Sequence, residues 1–266
     1  MTRPHTRNTL IASLLALASP FVMAQAFDAV RLYGVPVGDG AGLAGVALIA
    51  GHEYLGSDER KLRAYPVLDY QWKNGWFAGT SNGVGYQFAT PEKYQVGLRL
   101  TADLGRRESA SNALAGVGNI DAAAEIGGFA NFFITPEWFL TSSVRYGSGN
   151  DHNGVQVDVG AGYSTQLAAR WRGAVGIAGT YVNADYTQAF YGISSAQQMT
   201  SGYGTYIPGA GWRDIRGNAS LTWFFADDWS ATVGLSVRAL QTKVTGSPLV
   251  TEDTPIVGLL AVSYSF

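Results

Sequence analysis

The chain offers few groups able to do covalent chemistry. It has no cysteine, which removes disulfides, thiol nucleophiles and thiolate metal sites together. Outside the basic N-terminal stretch only His52 and His152 are left. His52 precedes Ser57 by five residues, and a hydrolase built into a membrane barrel would need a Ser–His pair on neighbouring strands with a third group orienting the ring. The plainer reading is a hydrogen-bonded histidine at a strand end. His152 lies between Asp151 and Asn153, far from His52, so no metal-ligand cluster forms. Asp227-Asp228 and Glu252-Asp253 are carboxylate pairs in a turn and a loop, read as solvated charge with at most weak cation contacts. No catalytic, cofactor or metal residue is assigned, and the chain reads as non-enzymatic.

A second set of reactive groups is larger and patterned. Lys61, Arg63, Asp69, Arg99, Asp103, Glu125, Arg145, Asp158, Arg172, Asp214, Arg216 and Arg238 each stand in a strand-length segment, on its polar side. If the opposite side met lipid, a charge turned outward near mid-membrane would cost roughly 2–4 kcal/mol, so these twelve would be forced inward. Their mixed signs point to a lumen crossed by ion pairs rather than a strongly selective pore. A narrow channel or ligand pocket is the sharper alternative.

The elements that would hold them are strands. Ile215, Gly217, Ala219, Leu221, Trp223 and Phe225 alternate with Asp214, Arg216, Asn218, Ser220 and Thr222. The same period of two recurs at 229–239, 94–104 and 155–163, and more weakly at 42–52, 61–72, 76–88, 122–134, 138–146 and 171–182. Runs of about ten residues, tilted by about 45°, cross an apolar slab. The end of the chain fits as well. In Pro255–Phe266 one face carries Ile256, Leu260, Val262, Tyr264 and Phe266, and the chain stops on that aromatic. Tyr264 and Phe266 read as the terminal signal that the barrel-assembly machinery recognises. A soluble sandwich would bury such faces in a common core and would need no aromatic girdle.

Turns give direction. Thr90-Pro91-Glu92-Lys93, Thr135-Pro136-Glu137, Ala168-Ala169-Arg170 and Ala226-Asp227-Asp228 are tight and polar, and Trp138, Trp171 and Trp229 follow the last three at once. Short turns beside interfacial aromatics mark the periplasmic side, and the longer connections at about 105–120, 147–153, 184–212 and 244–254 mark the outside. Tyr186, Phe190, Tyr191, Tyr203 and Tyr206 are the aromatics of the longest outer loop, either contact residues of an adhesive surface or filling for the mouth. Eleven strand-length runs are visible, and a single-chain bacterial barrel needs an even number. Adding Phe27 to Val37 as an upward strand gives twelve, with Lys73-Asn74-Gly75 outside and 42–52 running downward. Ten is the alternative count.

Composition agrees with an all-β, transmembrane antiparallel barrel. Gly at 34, Tyr at 14 and Trp at 7 are high, while 14% of residues are charged and the formal net charge is −2. That balance, without a basic run, argues against nucleic acid. Residues 1–26 read as a signal peptide, with Arg3 and Arg7 before the apolar Leu10–Ala18 and small residues near Ala24 and Ala26. Residues 27–266 are then the barrel, its outer surface against outer-membrane lipid.

Several segments also carry a family resemblance. Gly51-His52-Glu53-Tyr54-Leu55-Gly56-Ser57-Asp58 with Tyr65-Pro66 and Tyr70, Ala189-Phe190-Tyr191-Gly192-Ile193-Ser194 with Gln197, Ser201-Gly202-Tyr203 and Tyr206, Asp228-Trp229, Gly246-Ser247-Pro248-Leu249-Val250 and the ending Tyr264-Ser265-Phe266 resemble the MltA-interacting protein (MipA/OmpV) family. The resemblance covers essentially the whole chain after residue 26. It implies an outer-membrane barrel without catalytic residues or cofactors. It also implies a scaffold joining a murein transglycosylase to a peptidoglycan synthase, with porin-like and adhesive roles among other members. The Ala110–Ile120 stretch departs from the family pattern in being small and flexible in composition.

Overall fold

The computed structural model describes residues 39–88 and 93–266. Residues 1–26, read above as a signal peptide, the Phe27–Val37 segment and Thr90-Pro91-Glu92 lie outside the described residues. Among the described residues twelve antiparallel strands close a barrel. They are β1 (Gly40–His52), β2 (Arg60–Trp72), β3 (Trp76–Gly79), β4 (Gly83–Gln87), β5 (Tyr94–Asp103), β6 (Ala123–Phe133), β7 (Trp138–Ser148), β8 (Gly154–Ala168), β9 (Trp171–Val182), β10 (Gly211–Phe224), β11 (Trp229–Leu240) and β12 (Ile256–Ser265). Each pairs with its sequence neighbour, and β12 closes on β1 from Leu43↔Ser265 to Ala50↔Gly258. Closure pairs every strand along at least part of its length, which is why alternating sequences of this kind form barrels in membranes; among the described residues the short β3 and β4 leave the outer parts of β2 and β5 unpaired on that side.

The alternation is visible in the burial. On β11, Val233, Leu235 and Val237 are exposed while Ser236 is enclosed, and on β10 Trp223 is 44% exposed beside buried Asn218 and Arg216. Apolar side chains therefore cover the outside. At one rim they become a chain of rings running Trp171, Trp223, Phe225, Trp229, Tyr264, Phe266, Tyr70, Trp72, with successive centroids 4.8–6.3 Å apart. This is the interfacial girdle beside the short turns. Inside that half, Phe77 and Phe139 are almost fully enclosed, and Ala47, Val67 and Ala261 pack together.

The count of twelve is reached by another route than the sequence pattern indicated. Residues 76–88 are two strands, not one: β3 and β4 form a short hairpin around Thr80-Ser81-Asn82 with Gly79↔Gly83 as its last pair. Because β1 lies antiparallel to β12, it starts at the rim where Phe266 ends. So 42–52 runs away from that rim, and Lys73-Asn74-Gly75 joins the short turns rather than the outer loops. Both orientations are the reverse of the sequence expectation.

The hairpin is held low in the wall. Leu68 donates to Thr80 Oγ1 at 3.0 Å and accepts from the Thr80 N–H at 2.8 Å, and Asp69 accepts from the Ser81 N–H and hydroxyl at 3.0 and 2.7 Å. On the other side β4 pairs with β5 only from Gln87↔Gly97 to Val84↔Leu100. Gly83 has φ 78°, and a Cβ there would stand 2.0 Å from the Leu100 carbonyl oxygen. Above Leu68 and Leu100, β2 and β5 face each other with no register pair between them among the described residues.

Candidate functional site

The outer half of the lumen holds a polar lattice built from six neighbouring strands. Glu125 on β6 is fully buried and meets Arg145 Nη1 on β7 at 3.2 Å. Arg145 Nη2 reaches Asp158 on β8 at 3.1 Å, and Arg216 on β10 meets the other Asp158 oxygen at 3.2 Å. Asp214, also fully buried, accepts from Arg213 Nε at 2.7 Å and Arg216 Nη1 at 3.0 Å, with Arg238 Nε of β11 at 3.7 Å. Thr180 on β9 donates to Asp158 at 2.6 Å. Gln156 ties the halves together, donating to Glu125 at 2.9 Å and accepting from Arg213 at 2.8 Å. Three carboxylates thus stand against four guanidiniums, one positive charge in excess.

Not every charged position of the strands joins the lattice. Asp69 caps the β3–β4 turn, and Arg99 reaches Ser143 at 3.4 Å. Arg63 and Lys61 both pair with Glu53 at 2.7 Å, at the outer end of β1 and β2. Asp103 is buried and accepts from the Gly105 N–H at 2.8 Å. Arg172 is exposed near the rim of the short turns. Two buried guanidiniums, one in the lattice and one above it, escaped the sequence pattern. A bulge between Trp212 and Asp214 turns Arg213 inward next to Asp214, so the strict alternation that starts β10 misplaces it. Arg106 lies beyond β5, in a loop. The signal available for Arg213 was that it would be the sole charge on an otherwise apolar face.

The mouth above the lattice is filled. Helix α1 (Ala184–Tyr191) begins on Asn183, whose side chain accepts from the Tyr186 N–H, and α2 (Ser195–Ser201) begins on a capping box of Ser194 and Gln197. Tyr186 and Tyr191 pack with Val182, Leu240 and Val244, the last in α3 (Thr242–Thr245). Phe190 lies against that group, while Tyr203 and Tyr206 pack against Leu114, Val117, Ile193 and Leu249. Burial pushes the Tyr186 and Tyr191 hydroxyls above their ordinary pKa, so both stay neutral. Tyr203 and Tyr206 bond the carbonyls of Ala113 and Lys243 at 3.1 and 3.0 Å. All five loop aromatics are occupied in closing the mouth.

Between lattice and mouth lies a cavity of about 340 Å³ reaching the wall between β2 and β5. Arg106 lines it, 8% exposed, donating Nη1 to the Phe190 carbonyl with its guanidinium 6.0 Å from the Tyr54 ring centroid. Burial lowers its pKa from the usual guanidinium value, though such a group stays charged. His52, 3% exposed, bonds the main-chain carbonyl of Ser57 through Nδ1, while the Ser57 hydroxyl accepts from the Glu59 N–H at 3.1 Å. Imidazole and hydroxyl are not paired. Among the described residues no group of three or more His, Asp or Glu is placed to hold a metal ion, and no helix is long and apolar enough to cross a membrane.

A closed antiparallel barrel with an apolar outside, an aromatic girdle and an ion-paired interior is an outer-membrane protein of the Gram-negative envelope. The family model for "MltA-interacting protein MipA" matches residues 44–266, and the chain belongs to that family. No curated protein matches the chain. Among solved structures it is similar to the NanC porin (11% identity, 82% of this chain and 98% of that one, TM-score 0.47) and the KdgM porin (11% identity, 84% and 99%, TM-score 0.46). It is also similar to the COG4313 outer membrane channel from Pseudomonas putida F1 (10% identity, 89% and 100%, TM-score 0.44).

Proposed function

We propose that this chain is a non-enzymatic outer-membrane scaffold, with a braced, closed barrel and a periplasmic rim that docks a murein transglycosylase and, through it, a peptidoglycan synthase. The observation that carries the reading is the lattice from Glu125 to Arg238 beneath a filled mouth. A lumen tied across by buried ion pairs is costly to open, so it suits a rigid platform better than a conduit. The family name supplies the partner class: a murein transglycosylase would meet the short turns. At the girdle rim Pro136, Asp227 and Asp228 are exposed and Glu137 is half-buried. Tyr264 and Phe266, last on β12 and fastened by Phe266 N–H to Gly42 at 3.0 Å, are the elements the assembly machinery would read.

Two measurements test this. Purified transglycosylase should be retained by immobilised wild-type barrel and lost when Glu137, Asp227 and Asp228 are replaced together by Ser; equal retention refutes the rim. Single-channel recording in a planar bilayer should give a flat trace at high protein load. Regular conductance steps would replace the scaffold by a channel.

A further inference from the structure

The wall between β2 and β5 contains a framed opening. Its floor is the tip of the β3–β4 hairpin, at Leu68 and Leu100. Its upper edge is the Ser111 hydroxyl donating to Glu59 at 2.8 Å, which carries the 104–122 connection across to the outer end of β2. The two missing half-strands leave a gap of about 14 Å, three inter-strand steps, where β2 and β5 diverge from the hairpin. Since Leu68 directs both backbone groups at the hairpin, Pro66, Ala64 and Leu62 direct theirs at the opening. Pro66 has no N–H to lose there, the position on a strand where proline is tolerated. By the same phase Ala102 and Leu104 present theirs from the other side.

The cavity reaches this frame from inside. It touches Lys61, Arg63 and Tyr65 on the inner face of β2, and Ala102, Asp103 and Leu104 at the outer end of β5, so it borders the unpaired stretches of both strands. Seven basic side chains line it against three acidic ones, Glu53, Asp103 and Glu125. Glu53 is engaged by Lys61 and Arg63, and Glu125 by Arg145. Arg106 has no carboxylate within 4 Å among the described residues, and its Nε and that of Arg145, both more than nine-tenths buried, have no acceptor.

We propose that this opening admits a single-chain anionic amphiphile from the outer leaflet, its carboxylate head entering the cavity toward Arg106 and its alkyl chain remaining between the two strand edges. The depth fits. Leu62, Ala64 and Pro66 lie in the half of β2 away from Trp72 and the girdle, in the outer part of the apolar belt. The chemistry fits as well, since the buried Arg106 guanidinium, with an unpartnered Nε, offers charge-assisted hydrogen bonds to a carboxylate head. The volume suits a small head group such as a carboxylate. Rim docking plays no part in this site, and either can fail without the other.

The test uses the full barrel in lipid nanodiscs with a dodecanoate bearing a mid-chain diazirine, and the matched dodecanol as neutral control. After photolysis, adducts are mapped by mass spectrometry. Adducts should concentrate on residues 60–66 and 102–107, with the acid exceeding the alcohol roughly tenfold, as a charge-assisted contact requires. Arg106→Gln should remove most of that preference, and Ala64→Trp should reduce labelling by both probes. Adducts spread evenly round the apolar belt, or equal yields for acid and alcohol in the wild type, would overturn the proposal even if neither variant folds.

Discussion

Arg145→Met is the sharpest probe of the lumen. The guanidinium is 2% exposed and touches Glu125, Asp158 and Gln156 at 3.1–3.2 Å. Methionine matches its stem but leaves Glu125 buried with only Ser148, Gln156 and Thr101 as donors. Asp158 keeps Arg216 and Thr180, so the loss falls chiefly on Glu125. Stranding one member of a buried pair costs about 3–5 kcal/mol. Glu125→Gln is gentler, because the amide oxygen still accepts from Ser148 and Gln156 and Arg145 retains Asp158; about 1–3 kcal/mol is expected. In the double variant the stranded carboxylate is gone, so its cost should fall short of the sum by about 2 kcal/mol. Guanidinium titration in a neutral detergent, with the folded fraction read from heat-modifiable gel mobility, gives all three numbers. A single Arg145→Met loss within about 0.5 kcal/mol of wild type would mean these charges are solvated by lumen water, and the bracing argument would collapse.

Other expectations concern wall and hairpin. Leu235→Arg, on the lipid face, should cost roughly 2–4 kcal/mol or block assembly, whereas Ser230→Arg, inward and near the rim, should be mild; similar losses in the same titration would contradict the assigned faces. Gly83→Val combines a positive φ with a Cβ clash on Leu100 and should destabilise by about 2 kcal/mol or more, with hydrogen exchange quickening in β3 and β4 first. Thr180→Val keeps the shape but removes a hydroxyl that serves Asp158, Arg213 and Arg216, and about 1–3 kcal/mol should be lost. No measurable change would show that hydroxyl to be redundant.

Period-two patterning carried the barrel, because lipid on one side and an enclosed interior on the other dictate every second residue. The faces of Trp223 and Leu235 follow from that rule and nothing else. It failed where the rule has local exceptions. The 76–88 run alternates well enough to pass for one strand, since the reversal at Thr80-Ser81-Asn82 replaces a strand's middle with three residues and resumes in phase. The Asn82-Gly83 step was the available signal, a pairing suited to positive φ in hairpin turns. Taking that run as one strand put the parity wrong by one, which inverted β1 and the Lys73–Gly75 turn. Arg213 was lost to a bulge, whose extra residue shifts phase without any mark in composition. Which charges meet was not legible either: Arg145 and Asp158 are on adjacent strands, but the reach to Arg216 depends on β9 carrying the short Thr180 between them.

A barrel interrupted on one side needs compensation, and the placement of its polar groups follows from that need. The ladder between β2 and β5 is absent in the outer half, so hoop closure there cannot come from backbone pairing. The lattice ties β6 through β11, the intact side, into one unit. Across the opening, Ser111 with Glu59 joins the 104–122 loop to β2, while on the other side of β2 Thr251 joins the last loop to Asp58 at 2.8 Å and to the Gly56 carbonyl. Leu114, Ile193 and Leu249, from three different loops, are fully buried in the same lid. The mouth therefore does for the outer half of β2 what two more strands would have done. It leaves the edges of Leu62, Ala64 and Ala102 free to meet something other than protein.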